Sequence, residues 1–433
     1  MDTSPELDQA SSEYESRNFI LALINGIFSR VGFRLVDSSM VLSAFVKELT
    51  GSNVLVGLIC STMRAGWLWP QLIISNLVEH RQRKMPFYIF GVTARIFGWL
   101  LIVFVTLLIG SSNYLLLFIS FYFLYFMVSS SLGISTLPFN DILAKSIPVR
   151  KRARLFSLRQ FIGGIFGIGV GFLIRFVLNE EFRFSFPYNY ATLFGLATLM
   201  MIGSSLAFAL AREPIHPVRD KRRPFWEHLK RGPYFLRKDR DYRYFLIFRI
   251  ASAFGSMCIP FYVPYALDWL GVSESTIGSF TAAGAASAVL SNVLWAYMGE
   301  KHGSKSLIIV THSLLCLAPM IAASVRYLPA SYQIKCYFSV FILTQAFMNG
   351  SVIGYMTYSL NLAPSMSRPT YLGFLNTLMF PMSFVPLLGG ALLEVMSYEK
   401  VFILSSCMAI LAVYFAINLS NIDKRDDIES KDD

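Results

Sequence analysis

Charged side chains stand inside several long apolar runs of this chain, and they are the residues that could do chemistry. Arg30, Arg34 and Asp37 are spaced four and three residues apart, which would put them on one face of a helix. Ionisable residues within membrane spans are costly and by default mark a substrate or ion pathway. The candidate substrate-binding residues are Arg34, Asp37, Arg64, Trp67, Gln71, Arg95, Arg249, Gln345 and Asn349.

Two interpretations of the charged residues remain open at this stage. In the first, Arg34, Arg64 and Arg95 line a cavity and bind an anionic substrate, while Asp37 balances their charge and exchanges a proton. In the second, Asp37 forms a structural pair with one arginine, and the others extend their side chains to water. Gln345 and Asn349 in the tenth apolar run also allow two interpretations, contacts between packed helices or hydrogen bonds within a cavity.

The composition predicts how these residues are held. The chain has 433 residues, of which 55% are hydrophobic and 15% charged, with a mean hydropathy of +0.52. A soluble protein carries about a quarter charged residues. Runs of about 20 residues that are apolar on every face predict membrane-spanning helices and exclude a β-barrel. The predicted fold class is therefore an all-α integral membrane protein.

The apolar runs divide into two sets of six around a basic segment. We predict spans at 19–47, 53–78, 86–110, 113–137, 155–178, 189–211, 244–270, 275–298, 306–326, 333–362, 370–396 and 399–420. The corresponding domains are a tail (1–18), a six-helix bundle (19–211), a basic central loop (212–243), a second six-helix bundle (244–420) and a tail (421–433). The acidic first tail lacks the basic start of a signal peptide.

Successive loops between the predicted spans are alternately rich and poor in lysine and arginine. The loops on one side carry about twenty and those on the other about four. The positive-inside rule therefore places the basic side, and both termini, in the cytosol. The net charge of +11 is explained by topology, so we expect no nucleic-acid partner. We expect a monomer in the lipid bilayer of the cell membrane, plasma or inner.

The two halves also resemble each other. The pattern E-x-x-x-x-K occurs at 79–84 and again at 300–305, offset by 221 residues. A proline and an arginine four residues apart occur at 148–152 and 364–368, offset by 216. Such offsets indicate a duplicated six-span unit, an arrangement that places substrate sites at the interface of the repeats near the bilayer midplane.

These features together resemble the major facilitator superfamily over residues 19–420. That family's loop pattern is roughly G-x-x-x-D-R-x-G-R-[RK], and residues 75–84 read SNLVEHRQRK, with both glycines replaced. The resemblance implies twelve transmembrane helices in two six-helix bundles and a cytosolic gate formed by charged loop residues. The candidate gate residues are Glu79, Arg83, Lys84, Asp141, Arg152, Arg159, Glu300, Lys305 and Arg368.

The resemblance implies a secondary active transporter that moves a small solute by alternating access, with protons as a candidate coupling ion. The arginines suggest an organic or inorganic anion as the solute. The family's fourth-span arginine has no counterpart in residues 125–133, which puts the usual proton route in doubt. The fifth-span pattern G-P-x-x-G-G is half present, while PLLGG at 386–390 matches better. Symport and antiport therefore both remain open.

Two alternatives to anion transport stay open. An exporter of amphipathic drugs or lipids would suit the 15% aromatic content. A non-transporting membrane sensor or assembly factor would suit the degenerate loop motif. We expect no enzyme, cofactor or metal site, because no nucleotide-binding loop, nucleophile elbow or haem motif occurs and the five cysteines lack metal-ligand spacing.

Overall fold

The computed structural model describes residues 14–79, 81–214, 236, 239–362 and 368–421. Within these ranges the regular structure is helical, and ten helices are long and apolar enough to cross a membrane. The prediction of an all-α integral membrane protein is confirmed. Most of the predicted central loop and of the two tails lies outside the described residues.

The helices of the first half follow the predicted spans closely. They are α1 (Glu15–Leu35), α2 (Val41–Thr50), α3 (Asn53–Glu79), α4 (Met85–Ile109), α5 (Tyr114–Ser146), α6 (Val149–Val177) and α7 (Tyr188–Ala209). Local chemistry sets several of the ends. The side chain of Asn113 accepts a hydrogen bond from Leu116 N at the start of α5, and Gly51 ends α2 in the left-handed conformation.

The second half contains more interruptions. Its helices are α8 (Arg240–Gly255), α9 (Tyr262–Leu270), α10 (Ser275–Ser324), α11 (Ala330–Leu362), α12 (Arg368–Met379), α13 (Val385–Leu393) and α14 (Tyr398–Ile417). Helix α10 covers two predicted spans, and Gly303, with φ at 79°, bends the chain between them. Only glycine adopts this backbone region readily, so it marks the turn between the two spans.

The described residues cluster into two compact units. The first lies within Met1–Ser52, Ile59–Lys221 and Ser273–Ala282, and the second within Asn53–Leu58, Arg222–Val272 and Ala283–Asp433. In the first unit α1 packs on α6 and α7, and α4 packs on α5 and α7. In the second unit α8 packs mainly on α14.

The surface of α4 shows the arrangement expected of a helix in lipid. Phe90, Phe97 and Phe104 recur every seven residues and are 64%, 61% and 60% exposed. On the opposite face Arg95 and Trp99 are buried. An apolar exposed stripe and a polar buried residue are the reverse of a soluble amphipathic helix, and they fit a helix whose outer face contacts hydrocarbon.

The first predicted span is two helices rather than one. Helix α1 ends at Leu35 and α2 begins at Val41, with Asp37 between them. The Asp37 carboxylate accepts hydrogen bonds from Ser39 N (2.9 Å), Ser39 Oγ (2.7 Å) and Met40 N (3.1 Å). It therefore satisfies backbone donors that the break would otherwise leave unpaired. The predicted single helical face for Arg34 and Asp37 is wrong, because Asp37 lies beyond the end of α1.

Candidate functional site

A cavity of about 190 Å³ lies inside the first unit, beside the break between α1 and α2. Helices α1, α3, α4 and α5 and the α1–α2 break contribute to its wall. Its lining residues are Phe33, Val36, Asp37, Ser38, Met63, Arg95, Trp99, Tyr125, Val128, Ser129 and Leu132. Arg95 and Asp37 are the charged members of this lining, so they determine what the cavity can bind.

Arg95 is the strongest polar feature of the cavity. Its side chain is 7% exposed, and its Nε is buried without a hydrogen-bond partner among the described residues. The guanidinium carbon lies 5.9 Å from the ring centroid of Phe33, within range of a cation–π contact. A buried donor left without an acceptor is costly. Arg95 is therefore poised to bind an acceptor that enters the cavity.

Close packing of α4 on α5 holds Arg95 in this position. A Cβ added to Gly91 would lie 2.9 Å from Ser135 Cβ, and one added to Gly98 would lie 2.6 Å from a methyl carbon of Val128. These two glycines flank Arg95 at distances of one helical turn. Because they carry no side chain, the two helices approach closely on both sides of the arginine.

Asp37 combines a structural and a potential binding role. One carboxylate oxygen, Oδ1, is occupied by the three hydrogen bonds of the helix break. The other oxygen makes no hydrogen bond to a residue that the structure describes. Asp37 therefore shapes the break and also presents an oxygen and a negative charge to the cavity that contains Arg95.

Other candidate residues of the first half are not on the cavity wall. Arg34 and Arg64 are half-buried on α1 and α3. Trp67 Nε1 donates to Thr136 Oγ1 at 3.1 Å, and Gln71 Nε2 donates to the Trp67 carbonyl at 2.9 Å. The structure thus brings Arg95 and Asp37 together, but not the predicted set of three arginines around this cavity.

The candidates of the second half lie in the second unit. Arg249 stacks on the ring of Tyr355, with 4.1 Å between the guanidinium carbon and the ring centroid. Gln345 is buried, and Asn349 Nδ2 donates to the Gln345 carbonyl at 3.0 Å. A substrate-binding role for these three residues stays a prediction.

A buried polar cluster around His312 was not foreseen from the sequence. His312 Nδ1 donates to the Ile308 carbonyl at 2.7 Å, which leaves Nε2 as an acceptor. Ser252 Oγ and the Tyr355 hydroxyl lie 2.9 and 2.7 Å from Nε2, and 2.6 Å from each other. The three side chains come from α8, α10 and α11, so no sequence spacing could have revealed the cluster.

Two candidate gate residues meet in a charged cluster at the start of α4. Lys145 Nζ lies 2.9 Å from a carboxylate oxygen of Asp141, and Lys84 Nζ lies 3.8 Å from the same oxygen. Glu213 was missed by the sequence analysis. Its carboxylate lies 3.6 Å from Lys145 Nζ and accepts hydrogen bonds from the backbone N–H groups of Lys84 and Met85. Glu213 therefore caps α4 and balances the two lysines.

The remaining gate candidates have separate surroundings. Arg152 donates from Nε to the Ile147 carbonyl at 2.8 Å and from Nη2 to the Ala144 carbonyl, at the end of α5. Arg83 and Glu300 are exposed and Lys305 is half-buried, whereas the side chains of Glu79 and Arg368 lie outside the described set. Arg159 lies at the contact of α1 with α6, where Nη2 donates to Asn25 Oδ1 at 3.3 Å. Their gating role stays a prediction.

Comparison with known proteins identifies the fold. Residues 245–432 match the family model of the Major Facilitator Superfamily. A bacterial homologue of the iron transporter ferroportin in an inward-facing state is similar at 15% identity and TM-score 0.69, over 94% of this chain and 99% of that one. The nucleoside transporter NupG is also similar, at 11% identity and TM-score 0.67, over 92% of this chain and 98% of that one. A D-xylose-proton symporter is similar at 15% identity and TM-score 0.70, over 94% of this chain and 98% of that one. No curated protein sequence matches the chain. The architecture is that of twelve transmembrane helices in two six-helix bundles.

Proposed function

We propose that the chain is a divergent member of the major facilitator superfamily and a secondary active transporter of a small anionic solute. The family-model match over residues 245–432 and the fold shared with solved transporters support a membrane transporter. The observation that supports an anion is the buried, unpaired Nε of Arg95 on the wall of the cavity. Transport would follow alternating access of the site to the two sides of the membrane.

The chemistry of Arg95 supports an oxyanion over a neutral solute. A guanidinium stays charged and presents several donors in one plane, a geometry that matches carboxylate and phosphate oxygens. In surroundings of low polarity such a charge-assisted hydrogen bond is worth more than in water. An incoming oxyanion would satisfy a donor that no described residue satisfies.

The size of the cavity supports a small solute. The cavity has a volume of about 190 Å³. Pockets for drug-sized ligands are about 300 Å³ or larger. The cavity therefore suits a small anion better than the amphipathic drug or lipid of the rival interpretation.

Asp37 offers a route by which protons could be coupled to the anion. An ionised Asp37 and a bound anion in the same cavity repel each other. Protonation of Asp37 would remove that repulsion, so anion and proton would enter together. We propose this as the coupling step, with the protein in the cell membrane and its termini in the cytosol. The cluster of Lys84, Asp141, Lys145 and Glu213 would then stabilise the cytosolic ends of the first bundle.

The proposal is tested by anion binding to the purified full-length protein. A ligand that binds the folded state raises its melting temperature by mass action. The panel contains small carboxylates, phosphate esters, sugars, amino acids, metal ions and amphipathic cations. We expect stabilisation by an anion in the wild type, and a loss of at least tenfold in affinity for Arg95→Ala, as removal of one charge-assisted contact predicts.

A matched variant and a transport assay complete the test. Arg154→Ala removes the same charge from an exposed position of α6 and is expected to leave binding unchanged. Uptake of the anion into proteoliposomes should be lost in Arg95→Ala and retained in Arg154→Ala. Unchanged anion affinity in folded Arg95→Ala would refute the proposed site. Stabilisation by amphipathic cations alone would favour the exporter, and silence across the panel would favour a sensor or assembly factor.

A further inference from the structure

Helices α1 and α6 carry two arginines in a reciprocal arrangement within the first unit. A Cβ added to Gly26 on α1 would lie 1.8 Å from Arg159 Nε, and one added to Gly163 on α6 would lie 2.6 Å from Arg30 Cδ. Gly26 and Arg30 are four residues apart, as are Arg159 and Gly163. Each arginine therefore crosses the contact between the helices over the glycine of the other helix.

The charges of this pair are not balanced by a carboxylate that the structure describes. Arg30 makes no hydrogen bond or ion pair with a described residue, and its charge is repelled by the nearby guanidiniums of Arg34 and Arg159. Arg159 donates through Nη2 to Asn25, but its Nη1 is buried without a hydrogen-bond partner. Two neighbouring cations with unused donors in a desolvated setting require a counterion.

The side chains that contact Arg159 are neutral and partly aromatic. The Arg159 guanidinium carbon lies 5.2 Å from the ring centroid of Phe139 and 5.9 Å from that of Phe156. Asn25 also donates through Nδ2 to the hydroxyl of Tyr88, at 3.4 Å. These contacts hold the arginine in place without neutralising it, so its unsatisfied donor stays available to a ligand.

The contrast with the ends of the same helices supports this interpretation. Lys151 on α6 forms an ion pair with Glu15 on α1, at 2.6 Å. One basic residue of this helix contact therefore has an acidic partner, whereas Arg30 and Arg159, further along the same two helices, have none among the described residues. An unpaired arginine is costly to keep inside a bundle unless a ligand uses it.

We propose that Arg30 and Arg159 form a binding site for a doubly charged oxyanion, the phosphate group of a soluble phosphate ester. Two guanidiniums bring two positive charges and several N–H donors to one place. A phosphate monoester offers two negative charges and three acceptor oxygens. A monocarboxylate would neutralise only one of the two arginines.

The site deepens the proposed function, on which it rests, because it lies next to the Arg95 cavity. Tyr88, which contacts Asn25, is on α4, two turns before Arg95 on the same helix. Arg30 lies on α1, five residues or about 8 Å before the end of that helix at Leu35, and Phe33 and Val36 near that end line the cavity. An anion that enters the first bundle would thus meet the arginine pair and the Arg95 cavity at neighbouring positions along α1.

The test is binding of methyl phosphate to the full-length protein in detergent, measured by titration calorimetry. Arg30→Gln and Arg159→Gln are each expected to weaken binding at least tenfold, and Lys151→Gln, with the same loss of charge on the same helix contact, to leave it unchanged. Gly163→Ala keeps every charge but displaces Arg30, so it should also weaken binding while the protein stays folded. Unchanged affinity in both Arg30→Gln and Arg159→Gln would overturn the proposal.

Separate measurements test the charge of the bound anion and whether it is a soluble ester or a lipid headgroup. Binding of methyl phosphate should strengthen as pH rises through about 6, where its second proton is lost. Sulfate, doubly charged throughout, should bind with little dependence on pH. Equal binding of the singly and doubly charged forms of methyl phosphate would overturn the dianion assignment. Binding of phosphatidic acid in mixed micelles without binding of methyl phosphate would overturn the assignment to a soluble ester.

The outcome also separates this inference from the proposed transport site. Loss of phosphate binding in Arg95→Gln, with full retention in Arg30→Gln and Arg159→Gln, would overturn the arginine pair and leave the cavity standing. Loss in Arg30→Gln and Arg159→Gln, with retention in Arg95→Gln, would support the pair and count against the cavity. Absence of any binding by methyl phosphate and sulfate would overturn the arginine pair, while a carboxylate bound through Arg95 would still support the cavity.

Discussion

Glu274 makes the stability of the first unit depend on pH. It precedes α10 and belongs to the first unit, where burial, followed by the negative charge of Glu48, raises its pKa from 4.5 to about 7. Between these two pH values the folded protein holds more protons than the unfolded chain, so stability falls as pH rises. The difference in pKa corresponds to about 3 kcal/mol, present below pH 4.5 and lost once the pH exceeds about 7.

The size of this effect can be checked by thermal unfolding. The unfolding entropy is about 2.1 cal/mol/K per residue. For a chain of 433 residues, the free energy of unfolding near the melting temperature therefore changes by about 0.9 kcal/mol per degree. The melting temperature should therefore fall by about 3 °C between pH 5 and pH 8. Glu274→Gln should remove most of this fall, because the amide does not ionise, whereas Glu180→Gln, at an exposed position, should retain it. A fall of equal size in Glu274→Gln, or a melting temperature that rises with pH, would refute the reasoning.

Two further predictions concern packing and the buried polar cluster. Gly133→Ala should destabilise by about 1–3 kcal/mol, because the added carbon would lie 2.4 Å from a backbone oxygen of α3. Gly195→Ala, whose added carbon would have no neighbour within 4 Å beyond the adjoining turns of its own helix, should stabilise by about 0.4–1 kcal/mol. Tyr355→Phe removes one of two hydroxyls beside His312 and should cost about 1 kcal/mol, whereas His312→Ala also opens a cavity and should cost more than 2 kcal/mol. The stability of all four variants is measured by their melting temperatures in detergent. Equal effects of the two glycine substitutions would contradict the packing argument, and equal effects of Tyr355→Phe and His312→Ala would contradict the account of the polar cluster.

Much of the fold was predictable because its main determinant is local. A run of about 20 apolar residues must be helical in hydrocarbon whatever surrounds it. The break after α1 was not predicted, because the neighbouring residues are apolar and one carboxylate determines where the helix stops. The interruption between α8 and α9 in the seventh span has a local cause in Pro260 and Pro264, since proline leaves backbone carbonyls without donors.

The candidate site was less predictable, because it depends on which helix faces which. Charge within a span identified Arg95 and Asp37, and the structure places both on one cavity wall. The same criterion also selected Arg34 and Arg64, which do not line it. Glu213 lies in the basic loop that follows α7, and its capping of α4 joins residues about 130 positions apart, a pairing without a local signal.

The two helix breaks occur at corresponding positions of the two halves, and their chemistry differs. Asp37 and Cys258, each within a break, are separated by 221 residues, the offset of the repeated loop motif. In the first break a carboxylate accepts from backbone N–H groups. In the second, Ser405 Oγ donates to the Gly255 carbonyl at 2.6 Å and contacts the Cys258 thiol at 3.1 Å. Equivalent interruptions thus have an ionisable residue in one repeat and neutral groups in the other.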